Sequence, residues 1–482
     1  MHYFKNKLFS NCYFCLFLLF TLACVVKWFY LNHQNYYIVL SDEMPGAYSV
    51  AEGYSIIEIL RRLFIHGEWR LGSVRPFVTL FLYVLGFKIG GFHSHTVFFL
   101  GIILGSLLVP LYYLIIAKLL NQEIALFSSL ALIFLTNYIE QSLALTTQLP
   151  GIVFLALSLL FVINYYKNRR LWRLYLSGFF LTLSGLCRYG NALFIPFFIL
   201  YSFLFDRKTK TYLKIVYWIV CLSGSIYILV SNFKLMGNPL YFIYEQNIIA
   251  IESEGGVHIG FLKAGLVMWK VLCRLIWWPI WLLGICSICF ITLKYKNKAL
   301  LIISSFFVFL GFLFYKNKRG VLGYNENYFL IFSLAIIPVA FEFLRSIVLS
   351  ILKKSTYPYI SLMIVLGLLI RKFNNDNTLF IRFRYPKELV KITEDLRDIP
   401  PNSSLYIDDD LQGFSMLFYL KRHPQRNLYW GKKLGEQKIE DKSFYLLIPK
   451  DKMSQVSGNE KVLVKDYNDL GLYKVTNLQD NH

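Results

Sequence analysis

Long apolar runs separated by short basic loops fill the first 371 positions of the chain, and a polar stretch with short alternating segments follows. A helix needs about 20 mostly apolar residues to cross a bilayer. The first run, LFSNCYFCLFLLFTLACVVKWFY at residues 8–30, meets that length. Further runs lie near 95–118, 124–137, 150–166, 172–187, 190–205, 212–231, 266–292, 299–315, 327–345 and 358–371. Together they predict about eleven membrane helices. Lys5 and Lys7 precede the first run, and KNRR (167–170), DRKTK (206–210) and KYKNK (294–298) separate later ones. Basic residues gather on the cytoplasmic side, so these loops and the N-terminus are expected there. An odd number of crossings then puts the C-terminal stretch on the outer face. The first run lacks a small-residue cleavage site and reads as a retained helix, not a signal peptide.

Segment 76–91, PFVTLFLYVLGFKIGG, breaks the spanning pattern. It is apolar but short, and ends in Lys88 and Gly90-Gly91. If it crossed, KNRR and DRKTK would fall outside. It is therefore expected to lie at the outer interface or to re-enter it. Ile56, Ile57, Leu60, Leu63 and Phe64 share one helical face in 52–66, a second interfacial helix. The first outer loop, 31–94, is thus long and structured. Two more outer segments follow, near 232–265 and 315–327. Residues 372–482 form a separate outer α/β domain in this reading. It has an amphipathic helix near 385–398 and strands at 403–410, 443–449, 461–467 and 470–476.

Composition agrees with the pattern: of 482 residues, 56% are hydrophobic and 16% charged. Mean hydropathy is +0.49. A soluble chain of this size carries more charge. The formal net charge of +21 would suggest nucleic acid in a soluble protein. Here much of it sits in loops beside apolar runs and lacks a recognition motif, so anionic lipid explains it better. All eight cysteines lie in or beside apolar segments, so no disulfide framework or zinc site is expected in the polar domain. The fold class is an α-helical polytopic membrane protein with a small C-terminal α/β domain.

Candidate chemistry collects on the outer face. Asp42 and Glu43 leave the first helix there. Such a pair holds a divalent cation, magnesium or manganese, or accepts a proton from an incoming nucleophile. Lys316, Lys318 and Arg319 also fall outside, against the charge bias. A lipid-linked phosphate would account for them, because Lys and Arg bind phosphate oxygens by charge-assisted hydrogen bonds. Arg188 and Tyr189 sit at the outer end of 172–187, and a boundary arginine is a functional candidate. Glu140 lies just past another outer boundary and reads as a helix-terminal surface acid. The chain has no G-x-x-x-x-G-K-[ST] loop, no H-E-x-x-H motif and no G-x-S-x-G elbow. Acids within the spans are few, against a proton relay.

In this order the motifs resemble the GT-C superfamily of polyprenyl-phosphate-sugar glycosyltransferases. The bacterial branch related to protein O-mannosyltransferases and the lipid A aminoarabinose transferase is most similar. SDE (41–43) resembles the family's acidic motif after the first helix. RPFVTLFLYVLGFKIGG (75–91) resembles its interfacial segment, with Arg75 where His is frequent. LWRLYLSGFFLTLSGLCRYGNALFIPFFILYSFLFDRK (171–208) follows a family pattern with Arg188-Tyr189 at its Lys-Tyr position. GNPLYF (237–242), with Asn238, resembles the family loop GNPLY. NENYFLIFSLAIIP (325–338), with Glu326 and Tyr328, resembles RYLLPLLP, but Asn327 stands where Arg is common. Gly151, after Pro150, replaces the family's second acid.

The resemblance implies transfer of a sugar from a polyprenyl-phosphate donor to a lipid, glycan or protein acceptor at the outer face of the plasma (inner) membrane. It implies Asp42 as general base or metal ligand, assisted by Glu43. Arg188, Tyr189, Lys316, Lys318 and Arg319 would hold the donor phosphate, with Arg75, Glu140, Asn238, Glu326 and Tyr328 as further candidates. A lipid-linked oligosaccharide polymerase or ligase shares these substrates. A transporter or flippase would show paired broken helices in two halves, which are not apparent here.

Overall fold

The structure is a computed structural model. It describes residues 12–33, 77–91, 94–143, 148–206, 208–240, 266, 278–295, 330–353, 356–375, 400, 403–408, 428–431, 443–455, 460–467 and 470–476. Apolar sequence forms helices almost wherever it is described. They are α1 (Cys12–His33), α2 (Phe77–Gly90), α3 (Ser94–Leu119), α4 (Gln122–Ile133), α5 (Thr136–Leu143) and α6 (Gln148–Asn168). Then come α7 (Leu171–Cys187), a 3-10 turn (Tyr189–Phe194), α8 (Ile195–Phe205), α9 (Thr211–Met236), α10 (Trp278–Tyr295), α11 (Leu330–Leu352) and α12 (Tyr357–Asn375).

Stretches within α3, α6, α9 and α11 are long and apolar enough to cross a membrane. The other described apolar helices offer 10–17 such residues. Two expected spans are broken. The run 124–137 ends as α4 at Ile133, and after Phe134 and Leu135 the chain restarts as α5. The run 190–205 begins as a 3-10 turn and becomes α-helical at Ile195, where Pro196 suits the first helical turn. The expected span 299–315 lies outside the described residues.

Interhelical polar contacts lock the bundle. Ser158 Oγ of α6 donates to the Ser177 carbonyl of α7 (2.8 Å), and Ser184 Oγ of α7 donates to the Gly151 carbonyl (2.6 Å). Both pairs belong to one antiparallel register, which sets Gln148 beside Cys187. α9 runs parallel to α7: Gly178 faces Tyr217 and Cys221, and Gly224 faces Thr182 and Leu186. Lys27 of α1 is fully buried, hidden from the sequence by its apolar run. Its Nζ donates to Tyr138 Oη (3.1 Å) and Ser106 Oγ (3.4 Å). It also stands 4.2 Å from the centre of the Tyr138 ring. Small residues and hydroxyls thus let α1, α3 and α5 enclose a cation.

The helix α2 accounts for the short apolar run before α3. Its 14 residues extend about 21 Å at ~1.5 Å per residue, short of a ~30 Å hydrocarbon core. Val78, Leu80, Tyr83, Val84 and Phe87 pack inward, while Phe81, Leu85 and Ile89 are exposed along one side. At Gly91 the chain takes a left-handed turn (φ 77°), which glycine adopts freely. Thr96 Oγ1 then donates to the carbonyls of Gly90 and Gly91 (both 2.9 Å), fastening α2 back onto α3.

The C-terminal region forms one mixed sheet in the order β2-β1-β3-β5-β4. Its strands are β1 (Ser404–Asp408), β2 (Leu428–Gly431), β3 (Ser443–Pro449), β4 (Glu460–Tyr467) and β5 (Leu470–Thr476). β2, β1 and β3 are parallel; β5 pairs antiparallel with both β3 and β4. Tyr406, Phe444, Leu446, Ile448 and Val475 build its core. The strand β2 was not expected. The helix expected at 385–398, and the one at 52–66, lie outside the described residues.

Candidate active site

The end of the bundle where α6 begins and α7 stops carries a group of buried polar side chains that includes a sequence candidate, Arg188. Arg188 is the residue that ends α7. Its backbone is extended (φ −154°, ψ 115°), and its N–H donates to the Ser184 carbonyl (3.0 Å). Its own carbonyl accepts from the Asn191 N–H (2.8 Å), which opens the 3-10 turn. Arg188 is only 8% exposed. A buried guanidinium brings a fixed positive charge and several donors to a site shielded from water.

Two amides stand with it. Asn191 Nδ2 donates to Ser184 Oγ (3.0 Å), while its Oδ1 has no hydrogen-bond partner among the described residues. Gln148 lies in the first turn of α6, fully buried, and neither its amide oxygen nor its nitrogen has a partner among the described residues. Leaving a buried polar group unsatisfied costs about 1–3 kcal/mol, so such atoms call for a ligand or water. Gly151, one turn below Gln148, makes the close approach possible. A Cβ there would meet Asn191 Nδ2 at 2.6 Å and Arg188 Cβ at 3.6 Å. Thr79 Oγ1 of α2 donates to the Cys187 carbonyl (3.2 Å), so α2 is anchored to the same turn.

Of the residues nominated from sequence, the structure sets Arg188 and Tyr189 in this turn. Glu140 lies within α5, not beyond a helix end. Asn238 follows α9, exposed, and its Oδ1 accepts from the Leu240 N–H (2.9 Å). The parallel register of α7 and α9 carries Asn238 more than two helical turns beyond the level of Arg188. Asp42, Glu43, Arg75, Lys316, Lys318, Arg319, Glu326 and Tyr328 lie outside the described residues. Among the described residues no group of three or more His, Cys, Asp or Glu could hold a metal ion. Gln148 and Asn191 were missed because they are neutral; Pro150 in the first turn of α6 was the available signal of a helix start.

The opposite end of the bundle is organised by ion pairs. Asp206, read from sequence as part of a basic loop, is fully buried and accepts from Arg169 Nη1 (2.6 Å) and Tyr165 Oη (2.6 Å). Burial pushes its carboxyl up, but Tyr165, Thr209 and the Arg169 charge outweigh it and hold the pKa below the ordinary value.

Residues 74–231 match a protein family described as dolichyl-phosphate-mannose-protein mannosyltransferase. That segment contains α2, the α6–α7 pair, Arg188 and Asn191. No curated protein matches the chain. Among solved structures, the chain is similar to ArnT from Cupriavidus metallidurans bound to undecaprenyl phosphate. Identity is 12%, the match covers 95% of this chain and 97% of that one, and the TM-score is 0.54. It is also similar to an Archaeoglobus fulgidus oligosaccharyltransferase in complex with Zn and sulfate. There identity is 11%, coverage is 85% of this chain and 62% of that one, and the TM-score is 0.50. The likeness runs nearly the whole length of the ArnT chain.

Proposed function

Because the chain has the fold of the GT-C superfamily, with a mannosyltransferase-type segment inside it, we propose that it is a membrane glycosyltransferase. It moves a sugar from a polyprenyl-phosphate donor to a lipid, glycan or protein acceptor at the outer face of the plasma membrane. The observation that carries this reading is the buried cluster of Arg188 and Asn191 in the turn after α7 with Gln148 at the start of α6. It lies within the matching segment, at the end of the bundle away from the basic loops at 167–170 and 206–210.

Arg188 holds the donor phosphate and stabilises the charge that grows on it as the glycosidic bond breaks. Lys316, Lys318 and Arg319 add to that field, with Tyr189 beside it. Gln148 and Asn191 offer amide donors and acceptors to the sugar hydroxyls. Gly151 stands where the family resemblance expects a second acid, and its lack of a side chain lets Asn191 and Arg188 pack close to α6. Asp42 takes the proton from the acceptor hydroxyl as it attacks the anomeric carbon, and Glu43 orients that group. A divalent ion, magnesium or manganese, would be held by Asp42 and Glu43 and would polarise the acceptor oxygen. The test is direct: membranes containing the protein should release free polyprenyl phosphate from a labelled polyprenyl-phosphate-sugar. Absence of release with every donor class, from folded protein, would remove the reading.

A further inference from the structure

At the end of the bundle opposite Arg188, a cavity of about 410 Å³ opens between α3, α6 and α8. Lys118, Lys167, Tyr166, Tyr201 and Ile163 line it. We propose that this cavity is a binding site for the phosphate headgroup of an anionic phospholipid in the cytoplasmic leaflet, separate from the donor site.

Four observations converge. The cavity joins two lysines at the last turns of α3 and α6, where a headgroup phosphate would sit if the basic loops face the cytoplasm. The Tyr166 hydroxyl is buried behind the cavity lining without a hydrogen-bond partner among the described residues, an unused donor next to the site. Its ring packs edge-on against Tyr201 (5.1 Å), and the Arg169 guanidinium lies 5.2 Å from its centre. Among the described residues Asp206 pairs with Arg169, while Glu123 and Glu342 share Arg345, so with Lys118 and Lys167 this end keeps a positive balance. Finally, Leu200, Phe203 and Leu204 of α8 flank Tyr201 and are exposed, a surface for acyl chains next to the headgroup cavity. A free anion would use the lysines but not that apolar flank, which is why a lipid is the better occupant.

The experiment is native mass spectrometry of the detergent-purified full chain titrated with phosphatidylglycerol, phosphatidylcholine or inorganic phosphate. Phosphatidylglycerol should bind, and phosphatidylcholine should bind far more weakly. At about fivefold per lysine near a membrane surface, the double variant Lys118→Gln/Lys167→Gln should weaken it roughly 30-fold. Tyr166→Phe, which removes one oxygen and keeps the ring packing, should weaken it by a smaller factor while the melting temperature stays within a degree or so of wild type. Release of polyprenyl phosphate at the other end should continue in both variants, so failure here is distinguishable from failure of the transferase reading. Equal binding of phosphatidylglycerol by wild type and the double variant would overturn the proposal. So would displacement of the lipid by millimolar inorganic phosphate, which would mark a free-anion site.

Discussion

Replacing Arg188 with Ala tests the proposed donor phosphate contact while leaving the backbone bonds of its turn in place. The turn at 188 depends on backbone groups: its N–H reaches the Ser184 carbonyl at 3.0 Å and its carbonyl receives the Asn191 N–H at 2.8 Å. With φ at −154°, the residue has ordinary extended backbone that alanine adopts equally well. What is lost is a guanidinium 8% exposed, in surroundings where charge is weakly screened. A charge-assisted contact contributes about 1.5–3 kcal/mol, which is roughly 10- to 150-fold in donor use. The assay is release of polyprenyl phosphate against donor concentration at saturating acceptor, with a thermal melt on the same preparation. The loss should follow the donor titration, and Arg188→Lys should recover part of it because charge remains while the planar fork does not. A donor curve unchanged in Arg188→Ala, with only acceptor affinity altered, would refute the phosphate role.

Asp42→Asn should lower transfer about 10²- to 10⁴-fold without loss of membrane insertion; wild-type turnover in the purified variant would end its assignment as base. Gln148→Ala should reduce turnover while leaving the melting temperature unchanged or raised, since it removes an unsatisfied buried amide; a lower melting temperature with full activity would make Gln148 structural. A cysteine at Ile89, 82% exposed at the end of α2, should react with an impermeant reagent from outside in a background without native cysteines; labelling only from the cytoplasm would invert the orientation used here. Asp206 has its folded pKa below the unfolded one, so its contribution is complete above the ordinary carboxylate pKa of ~3.9 and is lost as pH falls through the lower folded value. Wild type should therefore lose stability in that acidic window faster than Asp206→Asn, as read by melts between neutral and acidic pH.

Much of this architecture was legible because the physics that builds it is local. Uniform apolar runs gave α3, α6, α9 and α11, and short apolar and aromatic segments in the polar stretch gave β3 and β5 at their observed bounds. The four-residue strand LYWG of β2 is too short to show a period, and it pairs in parallel with β1 from a distance in sequence. The break between α4 and α5 was hidden because apolar residues continue through Phe134 and Leu135. Arg188 was legible as a charge at the edge of an apolar run. Gln148 and Asn191 become notable only when packing buries them, and Asp206 only when folding brings Arg169 and Tyr165 onto it. The family resemblance was borne out by the match over residues 74–231 and by the fold.

The enclosure of Lys27 has a consequence for how the chain is made. A lysine in a lone membrane helix opposes insertion by up to about 2.5–3.5 kcal/mol at the helix centre and by less toward an end, where Lys27 lies within α1. Its partners Ser106 and Tyr138 come 79 and 111 residues later in the chain. At synthesis rates of roughly 5–20 residues per second, Tyr138 leaves the ribosome about 6–22 s after Lys27. Through that interval the first helix must keep its ammonium at the water boundary or shelter it in the insertion machinery. Its buried contacts form only when α3 and α5 arrive with their hydroxyls, so α1 is seated later than its place in the chain order suggests.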